Sequence, residues 1–79
     1  MKKILVTGAT GYVGGRLVRN LIEQGHSVRV FVRDTKKVTQ YSWANSVEIV
    51  AGDVRSYEDV RSALAGIDVA YYLLHSINS

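Results

Sequence analysis

With 79 residues, 47% of them apolar and 22% charged, the chain is sized for one small globular domain and lacks the composition of a disordered or membrane-embedded protein. Its formal charge of +3 is spread from Lys2 to Arg61 with no basic cluster longer than a pair, which argues against a nucleic-acid surface and suits a small phosphate-bearing ligand. The absence of cysteine excludes disulfides and thiolate metal sites and fits a cytoplasmic setting, and no apolar run approaches the roughly 18 residues of a membrane span.

Lys3–Thr7 reads as a buried parallel strand, because Ile4-Leu5-Val6 is a continuous apolar run that breaks at Thr7-Gly8 before a signal-peptide core could form. Tyr12–Gln24 reads as a helix with Val13, Leu17, Val18, Leu21 and Ile22 on one face, closed by Gly25 as a left-handed cap. Between them lies Gly8-Ala9-Thr10-Gly11-Tyr12-Val13-Gly14, a turn rich in glycine. Gly8 lets the chain turn sharply after the strand, Gly11 has no Cβ to bar a pyrophosphate from the backbone, and Gly14 lets helix and strand pack closely. The N–H groups at the helix start are then left to face an anion.

Ser27–Arg33 reads as a second strand, with Val28, Val30 and Val32 alternating with Arg29, Phe31 and Arg33. Asp34 caps a short helix reaching Gln40. Ser46–Ala51 is a third strand. Gly52-Asp53-Val54-Arg55 then turns into a helix capped by Ser56, with Val60, Ala63 and Leu64 inward and Gly66 closing it. Asp68–Leu74 is the fourth strand. Four strands separated by three helical crossings predict an α/β fold, a doubly wound parallel sheet in the order 3-2-1-4 with helices on both faces. With no proline and no linker, residues 1–79 form a single unit.

The turn Thr7-Gly8-Ala9-Thr10-Gly11-Tyr12-Val13-Gly14 departs from the spacing G-x-G-x-x-G and resembles the TGxxGxxG signature of extended and atypical short-chain dehydrogenases/reductases, relatives of the NAD-dependent epimerases and dehydratases. Asp68-Val69-Ala70-Tyr71-Tyr72-Leu73-Leu74-His75-Ser76 is similar to the D-x-x-Y-Y-L-x-H-S run of an atypical subgroup. The resemblance implies the first half of an NAD(P)-binding Rossmann domain, with the cofactor against Gly8, Thr10, Gly11, Tyr12, Val13 and Gly14. It also implies that Asp53 and Val54 lie against adenine, where Asp53 can accept from the exocyclic amine, although Asp53 can equally serve as a helix-entry turn residue. Leu74 and His75 lie where the fourth strand should approach ribose and pyrophosphate, His75 being either a ligand contact or a loop histidine bonded to backbone.

Arg33 and Asp34 stand 19 and 20 residues after Gly14, the position that reads the adenosine ribose. An acid there accepts from a free 2′-hydroxyl, whereas an arginine pairs with a 2′-phosphate. Arg33, backed by Lys36 and Lys37, favours NADP over NAD. The alternative is that these cations form a solvated face while Asp34 caps the helix.

Catalytic members of the resembled family use a Tyr-x-x-x-Lys pair for proton transfer. Here the residues four after each tyrosine are Arg16, Asn45, Arg61, His75 and Ser76, so no catalytic residue is assigned, and no metal-ligand cluster is evident. Three readings stay open: the cofactor-binding portion of an oxidoreductase-like protein, a non-catalytic NADP(H) sensor, and a self-assembling half-domain without a ligand. The fourth strand, apolar and uncharged from Val69 to Leu74, is expected at the sheet edge, where a second copy could pair along it, or pack over the exposed sheet face, to give a homodimer.

Overall fold

Ile4-Leu5-Val6 and Val28–Val32 are runs in which successive side chains must find cover on opposite sides of a sheet, so helices are required on both faces. The computed structural model, which describes residues 2–8 and 12–72 except the side chains of Tyr12 and Val13, meets that requirement. In chain order it runs β1 (Lys3–Thr7), α1 (Tyr12–Glu23), β2 (Ser27–Val32), α2 (Thr35–Val38), a 3-10 turn (Ala44–Ser46), β3 (Glu48–Ala51), α3 (Tyr57–Ala63) and β4 (Val69–Tyr72). The sheet is parallel with the order β3-β2-β1-β4. This is the doubly wound topology expected from the alternation of strand and helix.

On one face Ile4, Val6, Val28, Val30 and Val32 meet Val18 and Leu21 of α1, Val38 of α2 and Trp43. Tyr41 stacks on Trp43 with ring centroids 5.0 Å apart. On the other face Leu5 and Phe31 meet Ala63 of α3, with Val50, Val60 and Ile67 packed around them. Helix α1 closes as a Schellman motif: His26 N donates to Leu21 O at 3.1 Å and Gly25 N to Ile22 O at 3.0 Å.

Several element ends differ from the sequence reading, each for a local reason. Residues Ala44–Ser46 wind into a 3-10 turn, so β3 begins at Glu48 rather than Ser46. Leu64 is 42% exposed instead of inward, because α3 stops at Ala63 and Leu64 is its C-cap. Strand β2 stops at Val32, so its alternation does not extend to Arg33.

Among the described residues Arg29 is the buried charge, 9% exposed. Its NH1 donates to Ala63 O at 2.7 Å and Ala65 O at 2.8 Å, and its Nε to Glu48 Oε1 at 2.9 Å. Carbonyls at a helix end lack partners within the helix, and a guanidinium satisfies several at once. Arg29 thus fastens the end of α3 to the middle of β2.

Replacing Arg29 by Met is expected to cost about 1.5–3 kcal/mol, the scale of lost charged hydrogen bonds. Glu48→Gln should cost under about 1 kcal/mol, since Glu48 is solvated and only half of the clamp changes. Urea unfolding followed by the fluorescence of Trp43 measures both, and equal losses would mean that the α3 carbonyls do not depend on Arg29.

Candidate functional site

The carboxyl ends of the strands gather at one rim of the sheet, where open α/β folds bind their ligands. At the end of β1 the chain turns through Gly8, whose φ of 79° is a left-handed conformation that a side chain disfavours. Beside it Thr7 Oγ1 donates to Tyr71 O at 3.3 Å, tying the end of β1 to β4. Helix α1 begins at Tyr12, and Gly14 is buried within its first turn. Of the residues expected at the cofactor, Thr10, Gly11, Leu74 and His75 lie outside the described residues.

Arg33 is exposed just beyond β2. Asp34 is exposed too, but its carboxylate is engaged: Oδ1 accepts from Lys36 N at 3.0 Å and caps α2. Of the adjacent acid and base after β2, the acid is therefore the one committed to local structure.

Strand pairing brings the third candidate alongside. Val32 is in register with Ala51, and Gly52 N donates to Val32 O at 2.9 Å, which sets the Gly52-Asp53 step beside Arg33. Gly52 is a close approach: a Cβ built there would stand 2.5 Å from Phe31 Cε1 and 3.1 Å from Asp59 Cβ. The next peptide is held firmly, since Asp53 N donates to Asp59 Oδ2 at 3.0 Å and Asp53 O accepts from Ser56 N at 2.9 Å. Ser56 caps α3 by accepting from Asp59 N at 3.3 Å.

The Asp53 carboxylate faces Arg55, which the sequence reading passed over. Oδ1 accepts from Arg55 N at 2.9 Å and from Nε at 3.2 Å, while Oδ2 accepts from NH2 at 3.0 Å. An Asp followed two residues later by Arg was the available signal, because an Asx turn brings that residue's N–H onto the carboxylate. These bonds, with a further contribution from the charge of Arg33, lower the Asp53 pKa to about 2. Since the folded value lies below the ordinary 3.8, the stabilising contribution is present above that value and fades as pH falls toward 2. Val54 is 42% exposed at the tip of this turn.

Among the described residues no three His, Asp or Glu side chains gather as a metal site, and no helix is long and apolar enough to cross a membrane. Residues 1–78 match the NmrA-like family. The chain is 40% identical over 70 residues to a 3-beta-hydroxysteroid dehydrogenase of Mycolicibacterium neoaurum, an alignment that covers 89% of this chain and 18% of that protein. It is similar to a solved short-chain dehydrogenase/reductase superfamily protein from Agrobacterium tumefaciens with bound NAD, at a TM-score of 0.72 and 28% identity over 96% of this chain and 21% of that one. The fold is also that of AtPrR2 solved with NADP+ and (+)pinoresinol, at a TM-score of 0.82 and 24% identity over 96% of this chain and 27% of that one. The chain thus spans only a minor part of the length of these relatives.

Gly52→Ala is expected to destabilise the fold by about 1–3 kcal/mol, the range for overpacking a filled interior. The cost should shrink in a Phe31→Leu background, where the atoms that clash are gone. A double-mutant cycle by urea unfolding reads this coupling, and strictly additive losses would show that Phe31 is not the obstacle.

Proposed function

The chain belongs to the NmrA-like family, and we propose that it is the nucleotide-binding portion of an NAD(P)-dependent, oxidoreductase-like protein, with a preference for NADP(H). The observation that carries this reading is the convergence at one rim of the left-handed Gly8 turn, the exposed Arg33 and the charged Asp53. The residues fit such a ligand. The left-handed Gly8 starts the turn expected to meet an anion, and among the described residues no acid forms an ion pair with Arg33.

A bound dinucleotide would supply a hydride donor or acceptor. The roles of this chain are to bind and orient it: Gly8, Thr10, Gly11, Tyr12, Val13 and Gly14 at the pyrophosphate, Asp53 and Val54 at adenine, Leu74 and His75 toward the ribose. Arg33 meets a 2′-phosphate as a planar, permanently charged donor. Asp34 caps α2 through Oδ1, so among the described residues the free cation at this position is Arg33, and that supports NADP over NAD. Proton transfer is assigned to no residue here, as none of the five tyrosines has the lysine partner of the resembled enzymes.

Self-association belongs to the same reading. Among the described strands β4 lies at the sheet edge, with Val69, Tyr71 and Tyr72 exposed and no charge within it. Sedimentation equilibrium should show a species heavier than the 8.7 kDa chain, and a single species at that mass would remove the proposed pairing.

Calorimetric titration with NADP and NAD tests the nucleotide reading directly. Binding of NADP is expected, stronger than that of NAD, and Arg33→Ala should weaken NADP by about 1.5–3 kcal/mol with little effect on NAD. No heat with either nucleotide would overturn the reading. Equal losses for both would remove the 2′-phosphate role of Arg33.

A further inference from the structure

We propose that Arg55 is a positioning residue that aims the Asp53 carboxylate at a ligand, and so selects a nucleobase bearing an exocyclic amine over one bearing a carbonyl there. The inference rests on the nucleotide-binding reading and adds Arg55 to it. Its basis is an account of acceptor capacity. A carboxylate offers about four lone-pair directions. Oδ1 of Asp53 receives Arg55 N at 2.9 Å and Nε at 3.2 Å, which fills it, and Oδ2 receives NH2 at 3.0 Å. Among the described residues no further donor reaches Oδ2, so one direction is left on it.

The backbone that carries this carboxylate is fixed on both sides. Asp59 Oδ2 holds Asp53 N at 3.0 Å, and Asp53 O holds Ser56 N at 2.9 Å. What remains free is rotation of the side chain, and the planar fork of Arg55 removes it. Arg55 does nothing for the core: its side chain is 76% exposed, and an exposed ion pair contributes little to stability. Its consequence is therefore orientation. With Oδ1 filled, the free direction on Oδ2 accepts from an amine and repels a carbonyl oxygen, because a carboxylate ionised down to about pH 2 cannot donate.

The test uses the full chain with NADP and its hypoxanthine analogue, deamino-NADP, which carries a carbonyl where adenine carries its amine and a proton on the neighbouring N1. Calorimetric titration should show NADP preferred about tenfold or more, the scale of one charge-assisted hydrogen bond. In Arg55→Ala that preference should fall to within about twofold, and Arg55→Lys should restore part of it, since an ammonium can pair with one oxygen but cannot form the fork. In parallel, the Asp53 carboxyl titration followed by NMR should move from about 2 toward 3.8 in Arg55→Ala, while the chain stays folded. No binding of either nucleotide by the unaltered chain would fail the nucleotide reading and this inference together. Binding without base preference, or a preference that survives Arg55→Ala, would overturn this inference alone.

Discussion

Strand β2 must be covered on both sides at once, and most of the architecture follows from that constraint. Val28, Val30 and Val32 are at most 7% exposed on one face, and Phe31 is 3% exposed on the other. A two-layer arrangement would leave one of these sets in water, at about 25 cal/mol for each Å² of apolar surface. Right-handed crossovers put α1 and α2 on the first face, and the longer return from β3 to β4 carries α3 across the second. Reversal of winding direction between β1 and β4 then opens the crevice at the strand ends.

The second face is the thinner one, and it is held partly by charge. Among the described residues its buried cluster contains Leu5, Phe31 and Ala63, against nine residues on the first. Arg29 makes up the difference with bonds rather than area. A guanidinium placed under the last turn of a seven-residue helix supplies partners to carbonyls that such a short helix cannot satisfy, and Glu48 compensates its charge from the neighbouring strand.

What the sequence made legible were the features governed by short-range rules. Strand order, the Schellman end of α1 at Gly25, the Asp34 cap and the Ser56 cap all follow from patterns a few residues long. The misses are long-range. Alternation puts Arg29 on the face of Phe31, but only the arrival of α3, 34 residues later at Ala63, decides that it is buried and what it bonds. Trp43 has no periodic partner, yet it is 5% exposed, because the segment between α2 and β3 folds back over the valines of the first face. At the candidate site, Gly52-Asp53 could be read from its place after a strand. Arg55 stands two residues on, within reach of an Asx turn, but its contact with Asp53 acquires a consequence only once the neighbouring backbone is pinned.

That pinning joins the core to the rim. The Phe31 ring fills the space where a Gly52 side chain would stand, and Asp59, on the same helix as Ala63, reaches back to the Asp53 peptide. The face packed under α3 therefore sets the height and direction from which Asp53 leaves the sheet. Pairing between β2 and β3 sets its distance from Arg33 in the same way. The guanidiniums of Arg33 and Arg55 both bear on the Asp53 carboxylate, while the acid next to Arg33 in sequence is turned to the first turn of α2. A charge arrangement of that kind cannot be tuned by the loops alone: it is inherited from how β2 is covered.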